Sequence, residues 1–253
     1  MSPLRAQPSD PRTVARDIPG ICETLFPQLA PGVVMHLNRK SWADEESAPV
    51  SNELIGRSAI QHAMLFEIAV AAGEQLVRGE GIHLDAALSE ATSRQRKHFD
   101  ARLPKAISEA DEQIIRAVAT NLRSMLSNLE ARESRGVVTL APAIPGYSWI
   151  RSGIGDFSLG DCLIEVKCTS KPFGAADIRQ VLMYWMLSYA SALEGKGFEW
   201  LDVALVNPRL NTILQVNFNE LIRVVGAGRS KVELLELFSA MVVTHPLRMS
   251  DAI

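Results

Sequence analysis

The fold is constrained most by residues 153–167, which read GIGDFSLGDCLIEVK. Two apolar-rich runs, residues 154–159 and 162–169, flank the pair Gly160-Asp161. This pair suits a two-residue β-turn, because glycine adopts the positive φ that such turns require. The sequence therefore predicts a β-hairpin made of these two runs.

The register of this hairpin brings charged side chains together. A turn at residues 160–161 pairs Leu159 with Cys162, and counting back places Asp156 opposite Glu165, with Cβ atoms roughly 4.5–5.5 Å apart. Because side chains alternate along a strand, Lys167 shares their face. The opposite face is predicted to be buried and carries Phe157, Ile164, Val166 and Cys168.

Asp156, Glu165 and Lys167 are residue types that suit metal-dependent phosphodiester hydrolysis. Adjacent carboxylates repel each other unless a proton or a cation lies between them, and Mg²⁺ prefers such oxygen ligands. A lysine beside the metal can orient the attacking water or neutralise charge. The alternative is an ordinary solvated salt bridge, the usual fate of an isolated E-x-K tripeptide. Asp161 competes with Asp156 as the first acid, but the register places it in the turn, pointing away from Glu165.

A long apolar-periodic segment, residues 175–193, follows a breaker-rich connection and predicts a helix. Gln180 and Tyr184 lie four residues apart on one face of it, where they could hydrogen-bond a phosphate or a metal-bound water. The order of Asp156, E-x-K at 165–167 and Q-x-x-x-Y at 180–184 resembles the PD-(D/E)XK nuclease superfamily, in particular RecB-type nucleases and CRISPR-associated adaptation exonucleases. Gly155 stands where that motif commonly has proline.

The resemblance implies a restriction-endonuclease-like α/β core, with a mixed central sheet flanked by helices and an N-terminal helical insertion. It implies Mg²⁺ or Mn²⁺ held by Asp156, Glu165 and the carbonyl of Val166. Lys167 would position or activate the attacking water. Gln180 and Tyr184 would steady the hydrolysed strand or the lysine.

A further metal ligand is suggested by Ser58-Ala59-Ile60-Gln61-His62, which resembles the small-x-x-x-His helix of the same family. The pattern predicts one helix over residues 52–76 with His62 on its apolar face. Such a histidine is otherwise a hydrogen-bonded core residue. Glu67 is a weaker candidate, because it falls one position late for the family spacing.

The net charge of −3, from 26 basic and 29 acidic residues, gives no global sign of nucleic-acid binding. Local positive charge would then have to contact the phosphates. Lys171 and Arg179 are predicted to contact DNA, since both flank the catalytic residues in sequence. Other basic candidates, each more typical of a solvated side chain, are Arg94, Arg96, Lys97, His98, Arg229 and Lys231.

The three cysteines, Cys22, Cys162 and Cys168, are too few for a four-thiolate iron–sulfur cluster within one chain, and none is expected. The N-terminal segment lacks the pattern of a signal peptide. The longest charge-free apolar run, residues 181–193, has 13 residues, whereas crossing a bilayer takes about 20. We therefore predict a cytoplasmic protein without a membrane partner.

The predicted organisation is an irregular lead-in over residues 1–50, with a short helix near residues 12–27, and one nuclease-like domain over residues 51–253. That domain would contain a helical block at 80–134, lying beside a catalytic core at 136–218. The predicted activity is Mg²⁺- or Mn²⁺-dependent hydrolysis of DNA, with RNA left open as a substrate. By analogy it would serve defence against mobile DNA or DNA repair, with a helicase or ATPase partner. The alternative is a non-cleaving nucleic-acid-binding or assembly subunit with the same fold.

Overall fold

The structure, a computed structural model, describes residues 10–95, 104, 106–133 and 135–244. The helices within these residues are α1 (Val14–Asp17), α2 (Ile21–Leu25), α3 (Pro31–Asn38), α4 (Asn52–Ile55), α5 (His62–Val77), α6 (Leu84–Gln95), α7 (Glu109–Glu133), α8 (Ala175–Leu193), α9 (Phe218–Val225) and α10 (Lys231–Thr244). The strands are β1 (Val138–Leu140), β2 (Ala143–Ile144), β3 (Gly153–Ile154), β4 (Phe157–Leu159), β5 (Cys162–Val166), β6 (Asp202–Asn207) and β7 (Thr212–Asn217).

Five of these strands form one mixed sheet in the order β1-β4-β5-β6-β7. Neighbouring strands are antiparallel except β5 and β6, which are parallel and are connected through α8. A parallel pair requires such a crossover connection, and the apolar periodicity of α8 supplies a helix long enough for it. β2 and β3 form a separate antiparallel pair. The predicted α/β class, a mixed sheet flanked by helices, is confirmed.

The predicted hairpin register is confirmed at its turn. Leu159 pairs with Cys162 and Phe157 with Ile164, and Gly160 has a φ of +57°. The first strand is shorter than predicted, however, because residues 153–154 pair with β2 instead and the chain bends before β4. A Cβ on Gly155 would lie 3.2 Å from a Leu163 methyl carbon, so a larger residue at the bend would require Leu163 to shift by a few tenths of an ångström.

Helices cover both faces of the sheet. On one face, Leu163, Leu205 and Leu214 pack with α8 and with the N-terminal helices. The other face packs against α7, through a cluster that includes Leu122, Met125, Leu126, Leu129, Phe157, Leu159, Ile164, Ala204, Val206 and Ile213. The helical block, predicted to lie beside the core, also contributes to it, because the apolar stripe of α7 packs directly on the sheet.

The N-terminal region is also part of the core. Residues 1–50 were predicted to be an irregular lead-in with a short helix near residues 12–27. The structure has two short helices there, α1 and α2, and Val14, Ile18, Ile21, Leu25 and Phe26 are buried in the same cluster as α8. These short helices gain their stability from this packing, since helices of four or five residues are not stable alone. The packing fixes the position of the residues just before α1.

The helix predicted over residues 52–76 is divided into α4 and α5. Ser58 lies in the intervening turn, where its hydroxyl hydrogen-bonds Asp111 and accepts from the Ile60 N–H at 3.1 Å. The division makes His62 the first residue of α5, and its side chain is exposed instead of buried. Within the described ranges no helix is long and apolar enough to cross a membrane.

Candidate functional site

Strand β5 directs Glu165 and Lys167 towards α8. Residues alternate along the strand, so Val166 between them faces the α7 side and packs with that cluster. Glu165 is only 1% exposed. The Lys167 N–H donates to the Val206 carbonyl at 2.8 Å, which extends the parallel pairing one residue past β5. The main chain therefore holds both side chains at the carboxyl end of a central strand.

Helix α8, which has the predicted bounds, brings Gln180 and Tyr184 onto this pair. Lys167 Nζ donates to Gln180 Oε1 at 2.8 Å and lies 3.3 Å from Glu165 Oε2. Gln180 Nε2 donates to Glu165 Oε2 at 2.9 Å and to the Tyr184 hydroxyl at 3.0 Å. Four of the predicted catalytic residues thus form one hydrogen-bonded cluster.

Asp156 joins the cluster from the bend before β4. Its Oδ2 accepts from the Val166 N–H at 2.8 Å, which ties the first acid to the residue between Glu165 and Lys167. Its charge is the second-largest cause, after burial, of the raised pKa of Glu165. The structure therefore brings the two predicted acids together, although Asp156 lies one residue outside the β4–β5 ladder.

Glu165 is the electrostatic centre of the site. Burial, and then the charge of Asp156, raise its pKa to about 8, against the opposing effects of Lys167 and Arg12. Its Oε2 accepts two hydrogen bonds, whereas its buried Oε1 has no hydrogen-bond partner among the described residues. A buried carboxylate oxygen without a partner is costly unless something else satisfies it.

The donor set fits a divalent cation. The carboxylates of Asp156 and Glu165 are hard oxygen ligands, and the unpartnered Oε1 of Glu165 is free to coordinate a divalent cation. Among the residues that the structure describes, no group of three or more His, Cys, Asp or Glu side chains could hold a metal. The site would then rely on two side chains and a main-chain carbonyl, the set predicted above.

Arg12 is a site residue that the sequence did not predict. Its Nε donates to the Tyr184 hydroxyl at 3.0 Å, its Nη2 donates to the Ile154 carbonyl at 3.2 Å, and Nη2 lies 3.8 Å from Asp156 Oδ1. Burial alone would lower the pKa of Arg12, but Tyr184 and then Asp156 outweigh this and raise it above the ordinary value. Arg12 therefore places a fixed positive charge beside the two acids.

His62 lies outside the cluster formed by Asp156, Glu165, Lys167, Gln180 and Tyr184. It lines a cleft of about 400 Å³ on the α5 side of β5, together with Glu67, Val166 and Arg209. No described contact joins His62 to Asp156 or Glu165, so its role as a ligand stays a prediction. Glu67 lies 3.4 Å from the guanidinium of Arg94. Val166 connects the cleft with the acids, since it lines the cleft and its N–H donates to Asp156 Oδ2.

The predicted DNA-contacting residues lie at the periphery. Lys171 is exposed in the loop after β5, and Arg179 on α8 forms an ion pair with Glu23 at 2.8 Å. Three other basic candidates have partners elsewhere: Arg94 binds Glu74, Arg229 donates to the Thr24 carbonyl and Lys231 binds Glu199. The last three, Arg96, Lys97 and His98, lie outside the described residues.

Asp161 lies in the turn, at the opposite end of β5 from Lys167, as the register predicted. It forms an ion pair with Arg135 at 2.6 Å, and the same guanidinium binds Asp202. Of the two candidate aspartates, Asp156 is therefore the one that lies near Glu165.

Comparison of the chain with protein-family models, with characterised proteins and with solved structures finds no match. The resemblance to the PD-(D/E)XK superfamily therefore depends on the motif residues of the sequence.

Proposed function

We propose that this protein is a Mg²⁺- or Mn²⁺-dependent nuclease that hydrolyses phosphodiester bonds of DNA on a restriction-endonuclease-like core. The observation that carries the proposal is the Glu165 carboxylate beside Asp156. Its buried Oε1 has no hydrogen-bond partner among the described residues, and its Oε2 accepts a hydrogen bond from Lys167. A protein that only binds nucleic acid has no need of a buried acid with a raised pKa. Such groups reduce stability and are typical of functional sites.

Asp156, Glu165 and the carbonyl of Val166 would hold the metal. When bound, a divalent ion there would supply charge stabilisation for the phosphate and a lowered pKa for a water ligand. Glu165 must lose its proton to become a ligand, and its pKa of about 8 lets it do so near neutral pH. Metal binding is therefore expected to release a proton.

Lys167 and Tyr184 would act on the water and the phosphate. Lys167 is held between Glu165 and Gln180, which fixes its ammonium group where it can orient water or neutralise developing charge. The Tyr184 hydroxyl accepts hydrogen bonds from Arg12 and Gln180, so its own proton remains available for a phosphate oxygen. Burial, and then Glu165, raise the pKa of Tyr184, which keeps that proton in place.

The biological setting is proposed from the resemblance alone. Defence against mobile DNA or DNA repair, with a helicase or ATPase partner, fits a nuclease of this type, but no contact in the described residues bears on it. The alternative, a subunit that binds without cutting, differs in one measurable respect, which is the absence of metal-dependent cleavage.

The proposal is tested by cleavage of linear and circular DNA, single- and double-stranded, and of RNA, in Mg²⁺, Mn²⁺ or a chelator. We expect cleavage only with metal, and its loss in Glu165→Gln. The matched control is Glu194→Gln, which removes an exposed carboxylate that pairs with Lys196. Cleavage that persists in the chelator or in Glu165→Gln would contradict the proposal. No cleavage of any substrate would favour the non-cleaving alternative.

A further inference from the structure

Arg209 is a buried cation with few partners. It lies in the turn between β6 and β7 and is 7% exposed. Its Nη2 donates to Asn52 Oδ1 at 3.0 Å, and its guanidinium lies over the Phe66 ring, 5.2 Å from the centroid. Its Nε is buried and has no hydrogen-bond partner among the described residues.

This arrangement is incomplete for an arginine. A guanidinium carries five N–H donors in a planar fork, and no carboxylate in the described ranges forms an ion pair with it. Burying a cation without an anionic partner costs stability. The partner that Arg209 lacks is therefore an anion, and none of the described residues provides it.

The space for such an anion lies directly beside Arg209. The cleft of about 400 Å³ on the α5 side of β5 is lined by Arg209 and also by the polar residues His62, Thr169 and Ser170. The carboxylate in its lining, Glu67, is paired with Arg94. The loop that carries Thr169 and Ser170 continues into the exposed Lys171.

We infer that this cleft is a phosphate-binding subsite. Arg209 binds a backbone phosphate that neighbours the cleaved phosphate along the nucleic-acid strand. The guanidinium group of arginine can donate two parallel hydrogen bonds to two oxygens of one phosphate. Phosphate contacts of this kind fix the register of a nucleic-acid strand. That the bound phosphate belongs to a nucleic acid rests on the proposed function.

The position of the cleft supports this assignment. Val166 lines the cleft, and its N–H donates to Asp156 Oδ2 at 2.8 Å, so the cleft and the first acid share a residue of β5. A strand that reaches the two acids therefore passes the end of β5, where the loop of Ser170 and Lys171 begins. A phosphate held by Arg209 would set which bond lies at the acids.

The test is equilibrium binding of short fluorescein-labelled oligonucleotides, single- and double-stranded, in a chelator and over a series of salt concentrations. Arg209→Met should weaken binding about tenfold for all sequences and lower the slope of log Kd against log salt by about 1. Ser170→Glu should weaken binding too, because it places a negative charge at the mouth of the cleft without altering the core. Thermal unfolding shows whether each variant is folded.

The matched control is Arg116→Met, which removes an exposed arginine paired with Glu112 on α7 and should leave affinity and slope unchanged. The inference is overturned if folded Arg209→Met and Ser170→Glu bind like the wild type. If Arg209→Met does not fold, Ser170→Glu alone decides.

The inference is also overturned if the wild type neither binds the oligonucleotides nor is stabilised against heat by inorganic phosphate. A wild type that binds through Arg209 but never cuts would instead retain the inference and overturn the proposed function.

Discussion

Lys167→Met is expected to lower the rate of metal-dependent DNA cleavage by about 10³-fold, the scale measured when one preorganised charge-stabilising group is removed. Methionine keeps the length of the side chain and loses the ammonium group that contacts Glu165 Oε2 and Gln180 Oε1. The measurement is single-turnover cleavage with saturating protein, which separates the chemical step from binding. Binding in a chelator should change far less.

The control for this variant is Lys196→Met, which removes an exposed lysine that pairs with Glu194. It should cut at the wild-type rate. A loss below about tenfold in folded Lys167→Met, measured at saturating protein, would show that Lys167 does not act on the reacting groups.

Glu165→Gln is expected to make the metal-free protein more stable at pH 8 to 9 while abolishing cleavage. The pKa of Glu165 is raised to about 8 in the folded state, so the folded protein retains a proton that the unfolded chain releases at lower pH. The stabilising contribution of the neutral acid is complete below the ordinary glutamate pKa and is lost as pH rises through 8. Glutamine is neutral at every pH, so the free energy of unfolding of the variant does not fall in this way as the pH rises.

Thermal unfolding in a chelator measures this effect. Near pH 4 the wild type and Glu165→Gln should differ little, and near pH 9 the variant should be more stable by up to about 5 kcal/mol, a shift of about ten degrees or more. Glu194→Gln, an exposed carboxylate, should show no such divergence. A variant less stable than the wild type at pH 9 would contradict the account of Glu165.

The predictable part of the site is the part set by local chemistry. The register of the hairpin follows from the Gly160-Asp161 turn and the two-residue period of strands, and it predicted that Asp156, Glu165 and Lys167 lie close together, although the observed ladder ends at Phe157 and Ile164. The bounds of α8 follow from a long apolar period, so the sequence also predicted that Gln180 and Tyr184 share one helix face, which in the structure faces Glu165. Each of these patterns lies within about ten to twenty residues, where spacing alone determines direction.

Arg12 could not be predicted in this way. It is 172 positions from Tyr184, and nothing in the spacing of residues 10–17 indicates that they approach the sheet. Their position is set by burial of Val14 and Ile18 against α8, which is a tertiary effect. Only the apolar spacing of Val14, Ile18 and Ile21 gave a signal that this region is packed.

The break between α4 and α5 has a similar cause. The apolar spacing continues through residues 56–61, so the periodicity alone predicts an uninterrupted helix. The turn is stabilised by the hydrogen bond between Ser58 and Asp111 on α7, a residue far along the chain. Periodicity is limited in the same way for α7. The apolar stripe of this helix predicts a buried face, but it does not show that the sheet packs on that face.

Binding of Mn²⁺ to the metal-free protein near pH 7, measured by calorimetry in buffers of different ionisation enthalpy, tests the central claim most directly. The account predicts Mn²⁺ binding that releases a proton from Glu165 and that is lost in Glu165→Gln and Asp156→Asn. Binding that is absent in the wild type, or that persists unchanged in both variants, would contradict it.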